Sequence, residues 1–174
     1  METDRVPDIA LEIRPIRGDD RERILQAIQY TSPETYYHRF HAAKHGFTER
    51  ELTYLTNVDG NDHFALIATE RDRPDRLVAI ARFIRNPREP QEAELAITVH
   101  DPYQHTGVGQ RMLGLLIAAA DEHNVTRFRA IVQTENRPMI TLLHKMLPHT
   151  EPSLRDGSTV EYVSQLSDST RLAA

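Results

Sequence analysis

Two glycines and two glutamates carry most of the chemistry legible in this chain. Gly107 and Gly109 stand in Gln104-His105-Thr106-Gly107-Val108-Gly109-Gln110, between an apolar strand ending at Val99 and a helix. Glycine backbone adopts positive φ and approaches a ligand closely, and N–H groups at a helix N-terminus attract anions. A diphosphate fits such a nest, and a tight strand-to-helix turn explains the same glycines without a ligand. No Gly-Lys-Ser/Thr follows, so this is not a Walker A loop, and Met112 at the third glycine position rules out a dinucleotide fingerprint. Upstream, Glu92 and Glu94 share one strand face with Ala96 and Thr98, while Leu95, Ile97 and Val99 point the other way. Glu94 lies further into the strand and is expected to be shielded, as a general base should be; Glu92 is expected to be solvated.

These groups need a scaffold in which strands feed helices. Ile9, Leu11 and Ile13 alternate in a strand closed by Pro15, and a helix follows from about Asp19 with Ile24, Leu25 and Ile28 at helical spacing. Ser32 and Pro33 start a helix through Tyr36, Tyr37 and Phe40, and Thr48 and Glu51 have capping-box spacing ahead of Leu52 and Leu55. The period then changes to strands at Asp62 to Thr69, Arg76 to Arg85 and Gln91 to His100, separated by Arg73-Pro74-Asp75 and Asn86-Pro87-Arg88-Glu89-Pro90. A helix from about Gly107 to His123 ended by Asn124, a strand from Arg127 to Gln133, a helix from Arg137 to Leu147 stopped by Pro148, and a strand from Thr159 to Leu166 follow. The order predicts one mixed α/β domain over 9–166, with residues 1–8 and the tail 167–174 expected to fray.

With 174 residues and 39% apolar content, one core and one active site are expected. The chain has no cysteine, which excludes disulfides, thiolate metal sites and cysteine nucleophiles. A formal charge of -5 argues against a nucleic-acid groove. No signal peptide or membrane-spanning run is visible, so a cytoplasmic protein with no membrane partner is expected. His41 and His45 have i,i+4 spacing but no third ligand nearby, and no metal is expected.

At Val99 to Gly109 the sequence resembles motif A of the GNAT superfamily of N-acetyltransferases, a hydrophobic strand followed by Arg/Gln-x-x-Gly-x-Gly/Ala, with Gln104, Gly107 and Gly109 at those positions. His105 and Thr106 stand where glycine and a basic residue are usual, so phosphate binding is expected mainly from backbone N–H groups. Glu135-Asn136-Arg137-Pro138-Met139 resembles the start of motif B. Asn136 is also a good N-cap, and the two roles can coexist. Met139, in the first turn, keeps a site reading, whereas Leu142, Leu143, Met146 and Leu147 read as core. The resemblance implies the GNAT fold: a central, mostly antiparallel sheet of six to seven strands, splayed at the acyl-CoA site and flanked by about four helices. It implies acetyl-CoA as acyl donor, held by Ile97, Thr98, Val99, Gln104, His105, Thr106, Gly107, Val108, Gly109, Gln110, Asn136 and Met139.

An alkylammonium acceptor is neutral in only about one molecule in a few thousand at pH 7, so attack on a thioester needs a base. Ala93-Glu94-Leu95-Ala96 resembles the corresponding strand of bacterial protein lysine acetyltransferases, in which that glutamate is the base; a solvated or ion-paired Glu94 is the alternative. The resemblance implies direct attack in a ternary complex, with strand N–H groups near Ile97 and Val99 holding the cofactor arm. The tyrosine that many relatives use to protonate the CoA thiolate is replaced by Leu143, and His144 is rotated about 100° from that position. Tyr36, Tyr37 and Phe40 could wall an acceptor groove with Asp59 and Asp62 beside it, or serve as packing and turn residues. The acceptor is read as a primary amine, a protein lysine foremost. A small amine, amino acid or antibiotic, and a non-catalytic acyl-CoA-binding regulatory module, are the alternatives. Relatives often carry a nucleotide-binding or acyl-CoA-synthetase-like domain; this chain reads as the bare catalytic domain, and a homodimer is left open.

Overall fold

A computed structural model describes residues 10–28, 32 and 46–166. The predicted helix from Ser32, with Tyr36, Tyr37 and Phe40, and the pair His41 and His45 lie outside the described residues apart from Ser32 itself. The strands are β1 (Leu11–Pro15), β2 (His63–Glu70), β3 (Arg73–Asn86), β4 (Glu89–Val99), β5 (Arg127–Gln133), β6 (Thr150–Asp156) and β7 (Thr159–Gln165). The helices are α1 (Arg21–Ile28), α2 (Glu49–Thr56), α3 (Val108–Glu122) and α4 (Arg137–Met146). One seven-stranded sheet has the order β1-β2-β3-β4-β5-β7-β6, antiparallel throughout except where β4 meets β5.

Alternation along the strands divides the core into two layers. Leu66, Ala81, Phe83 and Leu95 face α3 and α4, where Met112, Leu113, Leu116 and Ile117 recur at helical spacing and meet Leu143 and Leu147. Each such aliphatic side chain, once buried, contributes about 2 kcal/mol. Ala65 and Ile67 face the other way, toward Ile24 and Ala27 of α1 and Leu52 of α2. Local signals set the helix ends. Thr48 N–H donates to Glu51 Oε2 at 2.8 Å and Glu51 N–H donates to Thr48 Oγ1 at 3.3 Å, closing the expected capping box. Asn124, at φ 58, ends α3 as expected, because asparagine tolerates left-handed backbone.

Two predicted turns change, and one strand appears that the sequence does not predict. Arg73-Pro74-Asp75 is strand, since Arg73 pairs with Glu70 around a turn at Arg71-Asp72 and a register shift absorbs Pro74. The second turn contracts to Pro87-Arg88. β6 was not expected from the sequence. It is an edge strand, exposed from Glu151 to Asp156 and interrupted by Pro152, so no apolar alternation marks it.

Candidate active site

The sheet opens between β4 and β5. Their parallel pairing covers only Glu92↔Arg127, Ala93↔Phe128 and Glu94↔Arg129. Beyond that register the two strands part, leaving the half-buried Ile97, Thr98 and Val99 without a partner on the β5 side. A cleft of about 680 Å³ lies beside these residues, bounded by the N-termini of α3 and α4.

The loop between β4 and α3 forms one wall. His105 at φ 62 and Gly107 at φ 87 are both left-handed, which turns the chain tightly into the first turn of α3. The first-turn N–H groups of a helix have no intrahelical acceptor. Gly109 stands where α3, α4 and β4 meet: a Cβ there would lie 3.4 Å from Leu142 Cδ2 and 3.7 Å from Val99 Cγ2, in van der Waals contact with both. Gln104 Nε2 donates to Val99 O at 3.2 Å and to Asp101 Oδ1 at 3.1 Å, which folds the loop onto the strand end. Asp101 also accepts from Ser32 N–H at 2.7 Å and Ser32 Oγ at 3.2 Å, tying Ser32 to the loop.

Of the residues the resemblance assigns to the acyl donor, Ile97, Thr98, Val99, Gln104, His105, Gly107, Gly109, Gln110, Asn136 and Met139 line the cleft. Thr106 and Val108 do not. Thr106 Oγ1 donates to Tyr103 O at 2.5 Å and the Val108 side chain is packed in the core, so only their backbones remain for a ligand. Asn136 does cap α4, accepting from Met139 N–H at 3.1 Å, and lines the cleft as well. Leu142, read as core, is also a wall residue. Sequence reasoning missed Tyr103, Arg137, Thr141 and Lys145. Pro138, Thr141, Leu142 and Lys145 follow i, i+3, i+4, i+7 spacing, a stripe that was available as a signal beside the more apolar one. Tyr103 cannot be recognised locally: its hydroxyl donates to the Glu70 carboxylate on β2, and burial followed by that contact raises its pKa.

The two carboxylates on β4 exchange their expected environments. Glu92, expected to be solvated, is 2% exposed. It accepts from Arg129 Nε and Nη2, each at 3.0 Å, from Arg127 Nε at 2.8 Å and from Asn86 Nδ2 at 3.1 Å. The Arg129 guanidinium foremost, and then Asn86 and Arg127, overcome the cost of burial and hold its carboxyl down at about 2. Glu94, expected to be shielded, is exposed at the last register before the strands part. Among the described residues no ion pair or hydrogen bond holds its side chain.

On the same face of β3 and β2, buried Arg82 donates through Nη1 to His63 Nε2 at 3.0 Å and to Leu55 O at 3.2 Å. Burial, then repulsion from Arg82, pushes the His63 imidazole down to about 4. Asp59 accepts from the N–H groups of Asn61, Asp62 and His63, and Asp62 pairs with Arg85, so both aspartates act as turn residues. Among the described residues no three of His, Cys, Asp and Glu converge as a metal cluster. None of the described helices is long and apolar enough to cross a membrane.

Comparison with known proteins bears on this geometry. A family model described as Acetyltransferase (GNAT) domain matches residues 10–146. Acetyltransferase Pat of Mycolicibacterium smegmatis is 34% identical over 91% of this chain and 51% of its own length. An acetyltransferase of Pseudomonas aeruginosa is 31% identical over 73% of this chain and 68% of its own. The crystal structure of the GNAT domain of S. lividans PAT superposes with a TM-score of 0.80 at 26% identity, covering 89% of this chain and 90% of that one. This chain thus spans about half the length of the first of these curated relatives and two thirds of the second.

Proposed function

The chain belongs to the GNAT acetyltransferase family, and from that premise we propose that it moves an acetyl group from acetyl-CoA to a primary amine, a protein lysine, with Glu94 as general base. The observation that carries this reading is the parting of β4 from β5 immediately after Glu94: the cleft lined by Ile97 to Val99 and the glycine loop begins beyond that point, and Glu94 stands before it, outside the cleft's own lining.

The residues present fit the donor. Gly109 lines the cleft at the first turn of α3, whose N–H groups suit a diphosphate, and Arg137 and Lys145 add cationic groups to the wall. Ile97, Thr98 and Val99, paired to β3 on one side, offer the strand edge that β5 leaves uncovered to hold an extended arm, with Val99 O already accepting from Gln104 Nε2, and Asn136 and Met139 border it. Acetyl-CoA supplies the acetyl thioester. Glu94 would take a proton from the ammonium of the acceptor, which frees the nitrogen lone pair for attack on the acyl carbon; the C–N bond forms, the C–S bond breaks and CoA leaves as the thiolate. Its exposure leaves room for an acceptor presented on a large surface, and its carboxylate, without a partner among the described residues, has lone pairs to spare. The likeness of Ala93-Glu94-Leu95-Ala96 to the strand of bacterial protein lysine acetyltransferases supports the lysine acceptor.

The test is incubation with acetyl-CoA and a panel of lysine peptides, whole proteins and small amines, following both thiol release and acceptor mass. A mass gain of one acetyl group on lysine side chains is the expected result. Gain on small amines alone would replace the acceptor class, and binding of acetyl-CoA without thiol release for any acceptor would overturn catalysis altogether.

A further inference from the structure

The register places Arg129 directly across from Glu94, on the neighbouring strand and on the same face. Paired parallel strands lie about 4.8 Å apart, well within the reach of an arginine side chain. A free Arg129 would therefore settle on the Glu94 carboxylate. Instead all three of its guanidinium nitrogens are turned elsewhere: Nε and Nη2 form a fork on Glu92, each at 3.0 Å, and Nη1 donates to Glu161 Oε1 at 2.5 Å. Glu92 is fixed in turn by Arg127 and Asn86, and Arg127 also reaches Glu89.

We propose that Glu92 and Glu161 are positioning residues that hold Arg129 away from Glu94 and so keep the Glu94 carboxylate free to accept a proton. The proposal rests on Glu94 being the base. A carboxylate clamped by a guanidinium is a poor base, because the pair favours its charged form and occupies the lone pairs that an ammonium proton must reach. A sheet that only needed cross-strand stitching could use Glu94↔Arg129, which already face each other. The structure stitches one step back along β4, through Glu92, and adds Glu161 from β7 to take the remaining arm. Among the described residues, the other groups facing Glu94 do not compensate. Its register partner on β3 is Ile84, with His63 beyond it on β2, and Arg82 is engaged with His63 and Leu55 O.

The test compares Glu161→Gln and Glu92→Gln with the parent by crystallography and by thiol release from acetyl-CoA with a lysine peptide across pH. Glu161 is the more exposed of the two, so its variant keeps the test open where Glu92→Gln fails to fold. Released Arg129 is expected within hydrogen-bond distance of Glu94 in the crystal. The acidic limb of the rate profile should move about one unit lower, with kcat down about tenfold and the KM for acetyl-CoA unchanged. Adding Arg129→Gln to Glu161→Gln should return the limb to its parent position, a rescue that a merely structural clamp would not give. An Arg129 that stays turned from Glu94, with an unmoved limb, overturns the proposal. Glu94→Gln separates the two failures. If it abolishes the limb while the other variants leave it in place, only the positioning role falls; if it retains the limb, the base assignment falls and the positioning role with it.

Discussion

Glu92 and Glu94 stand one residue apart on the same face of β4, and they mark where that strand changes character. The half around Glu92 is closed: β5 is hydrogen-bonded alongside, and two arginines and an asparagine surround the buried carboxylate. The half beyond Glu94 is open, lining a cleft instead of pairing. Two identical side chains thereby acquire different work, one holding strands together and the other facing solvent. The difference comes from β5, which supplies arginines opposite both positions but lets both reach for the first.

Glu94→Gln tests the open half most severely. Loss of a general base costs about 10²- to 10⁴-fold in turnover, so thiol release should fall into that range with acetyl-CoA affinity unchanged. Turnover within a few-fold of the parent from pH 6 to 9 would make both glutamates structural and erase the contrast. In the closed half, Glu92→Gln should lower unfolding stability by about 3 kcal/mol at pH 7, the worth of a carboxyl held at about 2 against 4.5 when unfolded. The sign follows from the depressed value: the contribution is complete above about 4.5 and disappears as pH falls through about 2. Urea melts at pH 7 and pH 3 should therefore show the variant converging on the parent, while Glu94→Gln stays within about 0.5 kcal/mol at both.

Gly109→Val should sharpen the contrast from the cleft side, weakening CoA binding about tenfold in calorimetry as the new side chain enters a space that Leu142 and Val99 already border. An effect confined to mildly acidic pH is expected at His63. Its imidazole is held at about 4 against 6.5 when unfolded, so it stabilises fully above 6.5 and less as pH falls toward 4. His63→Gln should flatten that part of the stability profile, read from thermal melts between those values.

Features written in a few adjacent residues were legible in the sequence. The capping box at Thr48 and Glu51, the stop at Asn124, the cap at Asn136 and the glycine loop all depend on short-range backbone needs, and each occurs where its residues predict. The inverted environments of Glu92 and Glu94 were not legible, because Arg127 and Arg129 come more than thirty residues later and nothing in β4 itself announces them. β6 escaped for a related reason, since an exposed edge strand has no buried face to impose a pattern. Lys145 and Thr141 were hidden by a helix that shows the core and the cleft two overlapping stripes.

The short β4–β5 seam also has a meaning in time. Strands β2, β3 and β4 can zip together through turns at Arg71-Asp72 and Pro87-Arg88, each closing a small loop. Joining Glu94 to Arg129 requires the whole of α3 to be threaded between them, and long closures of this kind are the slow part of chain assembly. The cage around Glu92 is therefore expected to close after the β2–β3–β4 meander, and the cleft beyond Glu94 with it.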